Sequence, residues 1–360
     1  MKLGEEKRDC KHFRGDIPCK PHKKEGVVCP TCQYYDPLNK RILIIKLGAR
    51  GDVIRTTPLL RKLRELYPKS EITWLTHTPE FVPKTWVDRI LRFEIHHLIT
   101  LQAEHFDLLI NLDKDREACA LANLISATTK KGYYLLNGKP APIDADSAHK
   151  YLTGIDDNLN KANTKHYVQE IFELCGFTWN KEEYILEIPP STLHLPSFGK
   201  PVIGLATGVG ARWKTRLWSV GHWINLARTL QESGYAVILL GGIDEHEQNR
   251  VIAEHSGATY LGHYPLNDFI HIVNYCDLVV TAVTMTTHIA IALKKKIILF
   301  VNIFPTTEFE LYGLGSIVEP HVPCQGCFRN TCDIRFEGKT CMELITVETV
   351  MQEIKTLRPI

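Results

Sequence analysis

Residues 41–68, R-I-L-I-I-K-L-G-A-R-G-D-V-I-R-T-T-P-L-L-R-K-L-R-E-L-Y-P, constrain the fold more than any other stretch of the chain. The apolar, β-branched run at 42–45 has the length and composition of a strand. A loop holding Gly48 and Gly51 follows. Across 53–66 the apolar residues Val53, Ile54, Leu59, Leu60, Leu63 and Leu66 then recur at helical spacing. A strand that hands over to a helix through a glycine loop opens an α/β sheet. Ligands bind such sheets at the carboxyl edge of the strands, which is where Asp52 falls. A carboxylate held there is placed to remove a proton from a bound hydroxyl. The plainer reading is that Asp52 caps the following helix, since Asp accepts backbone N–H bonds at helix starts.

The same alternation continues. Strands are expected at 71–75 and 108–111, with a weaker one at 185–188, and helices at 57–66, 117–125 and 166–175. Segment 189–201, P-P-S-T-L-H-L-P-S-F-G-K-P, holds four prolines and reads as a linker. A second set begins at Val202, with strands at 202–205, 236–240, 278–281 and 297–301. Its helices are expected at 222–233, 245–255, 266–274 and 286–293, and a terminal helix at 347–357. The expected fold is α/β: two Rossmann-like domains facing a cleft, the arrangement termed GT-B. The boundaries read as an extension at 1–38, domains at 39–190 and 200–345, and a closing helix at 346–360.

A chain of 360 residues suits two such domains. With 44% hydrophobic and 23% charged residues it has the composition of a soluble globular protein. A net charge of +2 argues against nucleic acid as a partner. The polar start lacks the apolar centre of a secretory signal, and the longest apolar run, 297–303, is interrupted by Asn302. The expected location is the cytoplasm, with peripheral contact at the inner face of the membrane left open.

Two further motifs carry chemistry. At 204–219, G-L-A-T-G-V-G-A-R-W-K-T-R-L-W-S, small residues including Thr207 and Gly208 let backbone N–H groups approach an anion. The cations Arg212, Lys214 and Arg216 would neutralise a diphosphate; a solvated basic loop is the alternative. The strand 236–240 ends in Gly241-Gly242 and runs into Asp244 and Glu245. A carboxylate beyond a strand end can accept ribose hydroxyls, or it can simply favour the start of the next helix.

The string K-L-G-A-R-G-D-V-I-R-T-T-P-L-L at 46–60 resembles the N-terminal signature of the ADP-heptose heptosyltransferases, glycosyltransferase family 9. The resemblance implies that Asp52, in the G-D-V/I element, is the catalytic base. Residues 204–218 are similar to the family's G-S-G-W-K-T-K-R-W-P, with Lys214, Arg216 and Trp218 matching, and the pattern L-G-G-x-x-E points to Glu245. At 277–293 the chain resembles D-x-x-x-x-x-D-T-G-x-x-H-x-A-A-A-L, a strand, a turn and a helix whose N-terminus receives the diphosphate. It keeps Asp277, Thr284, His288, Ala290, Ala292 and Leu293. It departs at Val283, where the family has Asp, and at Met285, where the family has Gly. Thr286 and Thr287 remain as hydroxyl donors, and His288 as a binding residue.

What the resemblance implies is an inverting glycosyltransferase using an ADP-heptose-like nucleotide-sugar. The acceptor would be a hydroxyl of a surface glycan, a lipid-linked glycan or a protein. The first domain would take the acceptor and the second the donor. Lys214, Arg216 and the helix start at 284–288 would stabilise the departing diphosphate, and no catalytic metal is expected. Two alternatives stay open: a nucleotide- or glycan-binding protein without turnover, which the departures at 283 and 285 fit, and a nucleotide-sugar epimerase of the same shape.

The chain has eleven cysteines, eight of them clustered. Cys324, Cys327, Cys332 and Cys341 form one set, in which a C-x2-C pair and two further thiols complete a tetrahedral S4 group. Cys10, Cys19, Cys29 and Cys32 form a looser one, with His12 and His22 as substitutes. In a reducing compartment both point to metal before disulfides. Zinc or iron suits four thiolates, in a structural role because no ligand position is left open. Cys119, Cys175 and Cys276 lie in apolar surroundings and read as small buried hydrophobes.

Overall fold

The computed structural model describes residues 1–210 and 212–357. Its first sheet contains β1 (Lys40–Ile45), β2 (Ser70–Thr76), β3 (Arg89–Arg92), β4 (His105–Asn111), β5 (Ser126–Leu136) and β6 (Lys139–Pro142). Their spatial order is β3-β2-β1-β4-β5-β6. Ile42, Leu43, Ile44 and Ile45 are all fully buried. An unbroken apolar run of this kind is what a parallel strand covered on both faces requires. Only β5 and β6 pair antiparallel in this sheet. Between them lie Asn137 and Gly138, both at positive φ, the Asn-Gly chemistry of a tight hairpin.

The second sheet contains β7 (Val202–Ala206), β8 (Ala236–Leu240), β9 (Thr259–Tyr260), β10 (Leu278–Ala282), β11 (Lys296–Phe300) and β12 (Gly315–Val318). Its order, β12-β11-β10-β7-β8-β9, repeats the first when counted from its own first strand. The strand order reverses between β1 and β4, and again between β7 and β10. These switch points are where open α/β sheets bind ligands.

Each sheet has its own core. Leu43, Ile45, Leu75, Phe106 and Leu109 meet Ala118, Leu121 and Ala122 of the Arg116–Leu124 helix in the first. In the second, Leu205, Leu239, Val280 and Phe300 pack with Trp218 and Trp223, and with Val350 and Ile354 of the terminal Val347–Leu357 helix. Among the described residues no helix is long and apolar enough to cross a membrane.

The chain divides into two compact units, Met1–Leu47 with Leu59–Ser147, and Gly48–Pro58 with Ala148–Ile360. The loop and helix after β1 therefore belong to the unit that carries the second sheet. The helical spacing read across 53–66 is shared by two helices, Arg50–Thr56 and Pro58–Leu66, the second being the helix expected at 57–66. Pro58 has no N–H to continue the first helix and is well suited to begin the second. The strand expected at 185–188 does not form. The Ile185 N–H donates instead to Thr57 Oγ1, at 2.8 Å.

Candidate active site

At the carboxyl ends of β1 and β4, within the first unit, Lys46 and Asp113 form a buried ion pair. Asp113 also accepts the Leu47 N–H. Burial pushes the Asp113 carboxyl up, opposed by the Lys46 charge. The pair anchors the strand end from which the 48–58 loop departs. Sequence reasoning missed it, although a lysine directly after four buried apolar residues was a signal that it needs a partner.

Asp52 lies in the first turn of the Arg50–Thr56 helix, whose N-cap is Ala49. It is not the cap residue. Its Oδ1 is 2.8 Å from Arg55 Nε, and its side chain keeps 31% exposure against 11% for Arg55. Arg55 Nη1 donates to Glu308 Oε1 at 2.8 Å, and the guanidinium stacks 3.4 Å from the Tyr167 ring centre. Burial disfavours that cation, but the Asp52 and Glu308 carboxylates outweigh it and hold the Arg55 charge firmly. Tyr184 is buried beside the group, and desolvation raises its phenol. The result is a solvent-reaching carboxylate oriented by a buried, doubly paired arginine. Arg55 was legible only as an i+3 partner of Asp52. Glu308 stands 253 positions from Arg55, and no local pattern could reveal it.

The same unit brings the Met285–Ala292 helix against this one. A Cβ on Gly51 would sit 2.5 Å from His288 Cδ2, so only glycine allows the two helices to approach this closely. His288 is buried, and desolvation pushes it down to about 3; it is neutral at physiological pH. Its Nδ1 is buried with no hydrogen-bond partner. Thr284 is the N-cap, its Oγ1 accepting the Thr286 N–H at 3.2 Å. Thr287 Oγ1 donates to the Ala282 carbonyl at 2.9 Å and accepts the Thr284 N–H at 3.1 Å. In this structure the Thr287 hydroxyl closes the cap.

The loop after β7 is tightly held. Thr207 Oγ1 donates to Asn249 Oδ1 at 2.6 Å. Glu245 lies over Gly208, where any Cβ would collide with it, and its Oε2 accepts the Gly242 N–H at 2.8 Å. Glu245 therefore serves its own turn in this structure. Lys214 is exposed on the Lys214–Arg216 turn. Arg216 is buried, its guanidinium donating to the Val283 carbonyl and, at 2.7 Å, to the Val209 carbonyl. Desolvation pushes it down to about 10. Its N–H groups tie the loop to the end of β10. Trp218 is core, stacked edge-on to Trp223 and Phe300.

Each cysteine set lines one cavity. Cys324, Cys327, Cys332 and Cys341 line a cavity of about 430 Å³, and Cys10, Cys19, Cys29 and Cys32 one of about 680 Å³. Burial and the neighbouring Cys327, Cys341 and Cys332 thiols raise the Cys324 thiol. Asn302 links this element to the Lys214 loop, donating to the Thr215 carbonyl at 2.9 Å and to Cys341 Sγ at 3.4 Å. Among the described residues, only Glu94, His96 and His97 bring three ligating atoms within 4.8 Å of one another. They are largely exposed on the surface.

The family model of glycosyltransferase family 9 (heptosyltransferase) matches residues 95–334, two thirds of the chain. The chain belongs to glycosyltransferase family 9. Among curated proteins none matches it in sequence. Solved structures of similar fold include a family 9 glycosyl transferase from Veillonella parvula, with TM-score 0.67, 20% identity, and 89% of this chain and 97% of that one covered. Another is E. coli ADP-heptose LPS heptosyltransferase II, with TM-score 0.64, 18% identity and coverage of 88% and 98%. A third is the iron-containing dodecameric glycosyltransferase TibC of enterotoxigenic E. coli, with TM-score 0.55, 15% identity and coverage of 89% and 76%. The family 9 chain described here is a glycosyltransferase of GT-B fold, built on two Rossmann-like sheets.

Proposed function

We propose that this chain is an inverting glycosyltransferase. It moves a heptose-like sugar from a nucleoside diphosphate donor to a hydroxyl of a surface glycan, a lipid-linked glycan or a protein. The observation that carries the reading is the Asp52 carboxylate, accessible to solvent yet fixed by buried Arg55. Asp52 takes the acceptor proton as its oxygen attacks the anomeric carbon from the face opposite the leaving group. Negative charge then grows on the departing diphosphate. The start of the Met285–Ala292 helix offers backbone N–H groups to it, and Lys214 offers a mobile cation. Arg216 acts through the loop it holds. Family 9 structures solved with ADP and with ADP-2-deoxy-2-fluoro heptose, both of E. coli WaaC, favour an adenosine diphosphate donor. Incubation with ADP-heptose tests the reading: release of ADP supports it, and an unchanged donor opposes it.

Lys214→Ala is expected to weaken nucleoside diphosphate binding by roughly 1.5–3 kcal/mol, the usual worth of a charge-assisted contact. Calorimetric titration with ADP measures this, and unchanged affinity would return Lys214 to a solvated surface.

The C-terminal cysteines fit one structural metal ion, zinc or iron, the metal that the similar structure of TibC contains. Four thiols gathered on one cavity are the donor set such an ion takes. Cys324→Ser should lower both metal content and melting temperature, because the ligands are ordered by the ion. The Asn302 link to the Thr215 carbonyl adds a consequence: ADP affinity should fall as well. A metal content near zero in the parent protein would exclude the site.

A further inference from the structure

The N-terminal extension is folded without a core. None of residues 1–41 is buried, and Leu3 and Ile17 are exposed. Its regular structure amounts to the Lys20–Glu25 helix and the Cys29–Thr31 turn. Yet the backbone is closely specified. The carbonyls of Cys10, Cys19 and Cys29 each accept a turn-closing bond, from the N–H groups of Phe13, Lys23 and Cys32 at 2.9, 3.0 and 3.4 Å. Cys10 bridges to Pro37, flanked by Lys11 N–H to the Asp36 carbonyl and Leu38 N–H to the Asp9 carbonyl, both at 2.8 Å. The two ends of the segment are thereby joined. A segment of about 40 residues cannot hold such a shape by apolar burial and needs a cross-link or a metal.

All four cysteines are free and line the one cavity of about 680 Å³. Cys29-Pro-Thr-Cys32 is a C-x2-C turn, the usual two-thiol half of a tetrahedral site. His22 Nδ1 is 2.8 Å from the Val27 carbonyl, which braces the turn, and the four thiols by themselves make up a complete tetrahedral donor set. We propose that Cys10, Cys19, Cys29 and Cys32 bind one thiophilic metal ion, with zinc the fitting occupant, and that this ion fixes the fold of the extension. On binding, the four thiols release four protons to solvent and their thiolates replace water on the ion. Four thiolates on a divalent ion carry a net charge of −2. Residues 1–38 hold eight Lys and Arg against six Asp and Glu, a surplus that balances it. The ordered extension then reaches the first sheet, through Lys11 Nζ to Asp88 Oδ1 at 2.9 Å and Asn39 N–H to the Lys69 carbonyl at 3.0 Å.

The inference is independent of glycosyl transfer and of the C-terminal set, and the test keeps them apart. The full chain carrying Cys324→Ser and Cys327→Ser silences the C-terminal set, and its zinc and iron are counted by elemental analysis. About one equivalent of metal is expected, falling near zero when Cys29→Ser is added. Should the multiple variants fail to fold, the parent chain serves. Chelation with EDTA should make residues 1–38 newly sensitive to limited proteolysis, while Cys29→Ser alone lowers its metal content by about one equivalent. Metal content unchanged by Cys29→Ser would overturn the proposal. So would a non-reduced mass showing these cysteines paired as disulfides.

Discussion

Asp52→Asn should cut turnover by about a hundredfold or more, the usual scale for losing a general base. An amide in the same place accepts no proton, so the acceptor hydroxyl would have to attack while still protonated. Donor affinity should stay close to that of the parent, because the proposed diphosphate contacts lie at Lys214 and the start of the Met285–Ala292 helix. The change also removes one of the two carboxylates paired with Arg55 and leaves it Glu308. Melting temperature therefore has to be recorded beside kcat. A variant that stays folded, binds ADP and fails to turn over assigns the loss to the proton step. Full activity would remove Asp52 from the chemistry.

The second large effect is on stability. Arg55→Met takes a cation from between two carboxylates, with the guanidinium also stacked on Tyr167. Breaking a buried pair by removing one partner typically costs about 3–5 kcal/mol, since the other charge is left uncompensated. Denaturant unfolding would measure it. Combining Arg55→Met with Glu308→Leu should recover part of the loss, because the stranded carboxylate goes with it. Such coupling is the mark of a true pair. Arg55→Lys should rescue only partly, as one ammonium cannot reproduce the contacts made by Nε and Nη1. Additive losses in the double variant would show that Arg55 and Glu308 stabilise the chain separately.

What could be read in advance follows from the range of each signal. The run at 42–45 and the run at 278–281 are short, apolar and flanked by turn chemistry, and each marked its strand directly. The hairpin of β5 and β6 was overlooked although Asn137-Gly138 announced it, because Lys130, Lys131 and the exposed face blurred the alternation. Pro58 was visible, but helical spacing ran through it and hid the break between two helices. In the site, Asp52 stood out because a glycine loop placed it at a strand edge. The partners that give it a fixed orientation did not. Glu308, Tyr167 and Tyr184 arrive from distant segments, and only tertiary packing unites them around Arg55. Arg216 shows the reverse: a cation in a glycine-rich loop suggests phosphate, while burial turns it toward carbonyl groups.

The central claim is sugar transfer from a nucleoside diphosphate donor with Asp52 as the base. It is tested most directly by following ADP-heptose with the parent chain and with Asp52→Asn, products being resolved by mass spectrometry. The predicted result is slow ADP release by the parent even without acceptor, and almost none by the variant at equal donor binding. Donor left intact by a folded parent chain, an altered sugar still joined to its nucleotide, or equal release by both proteins would contradict it.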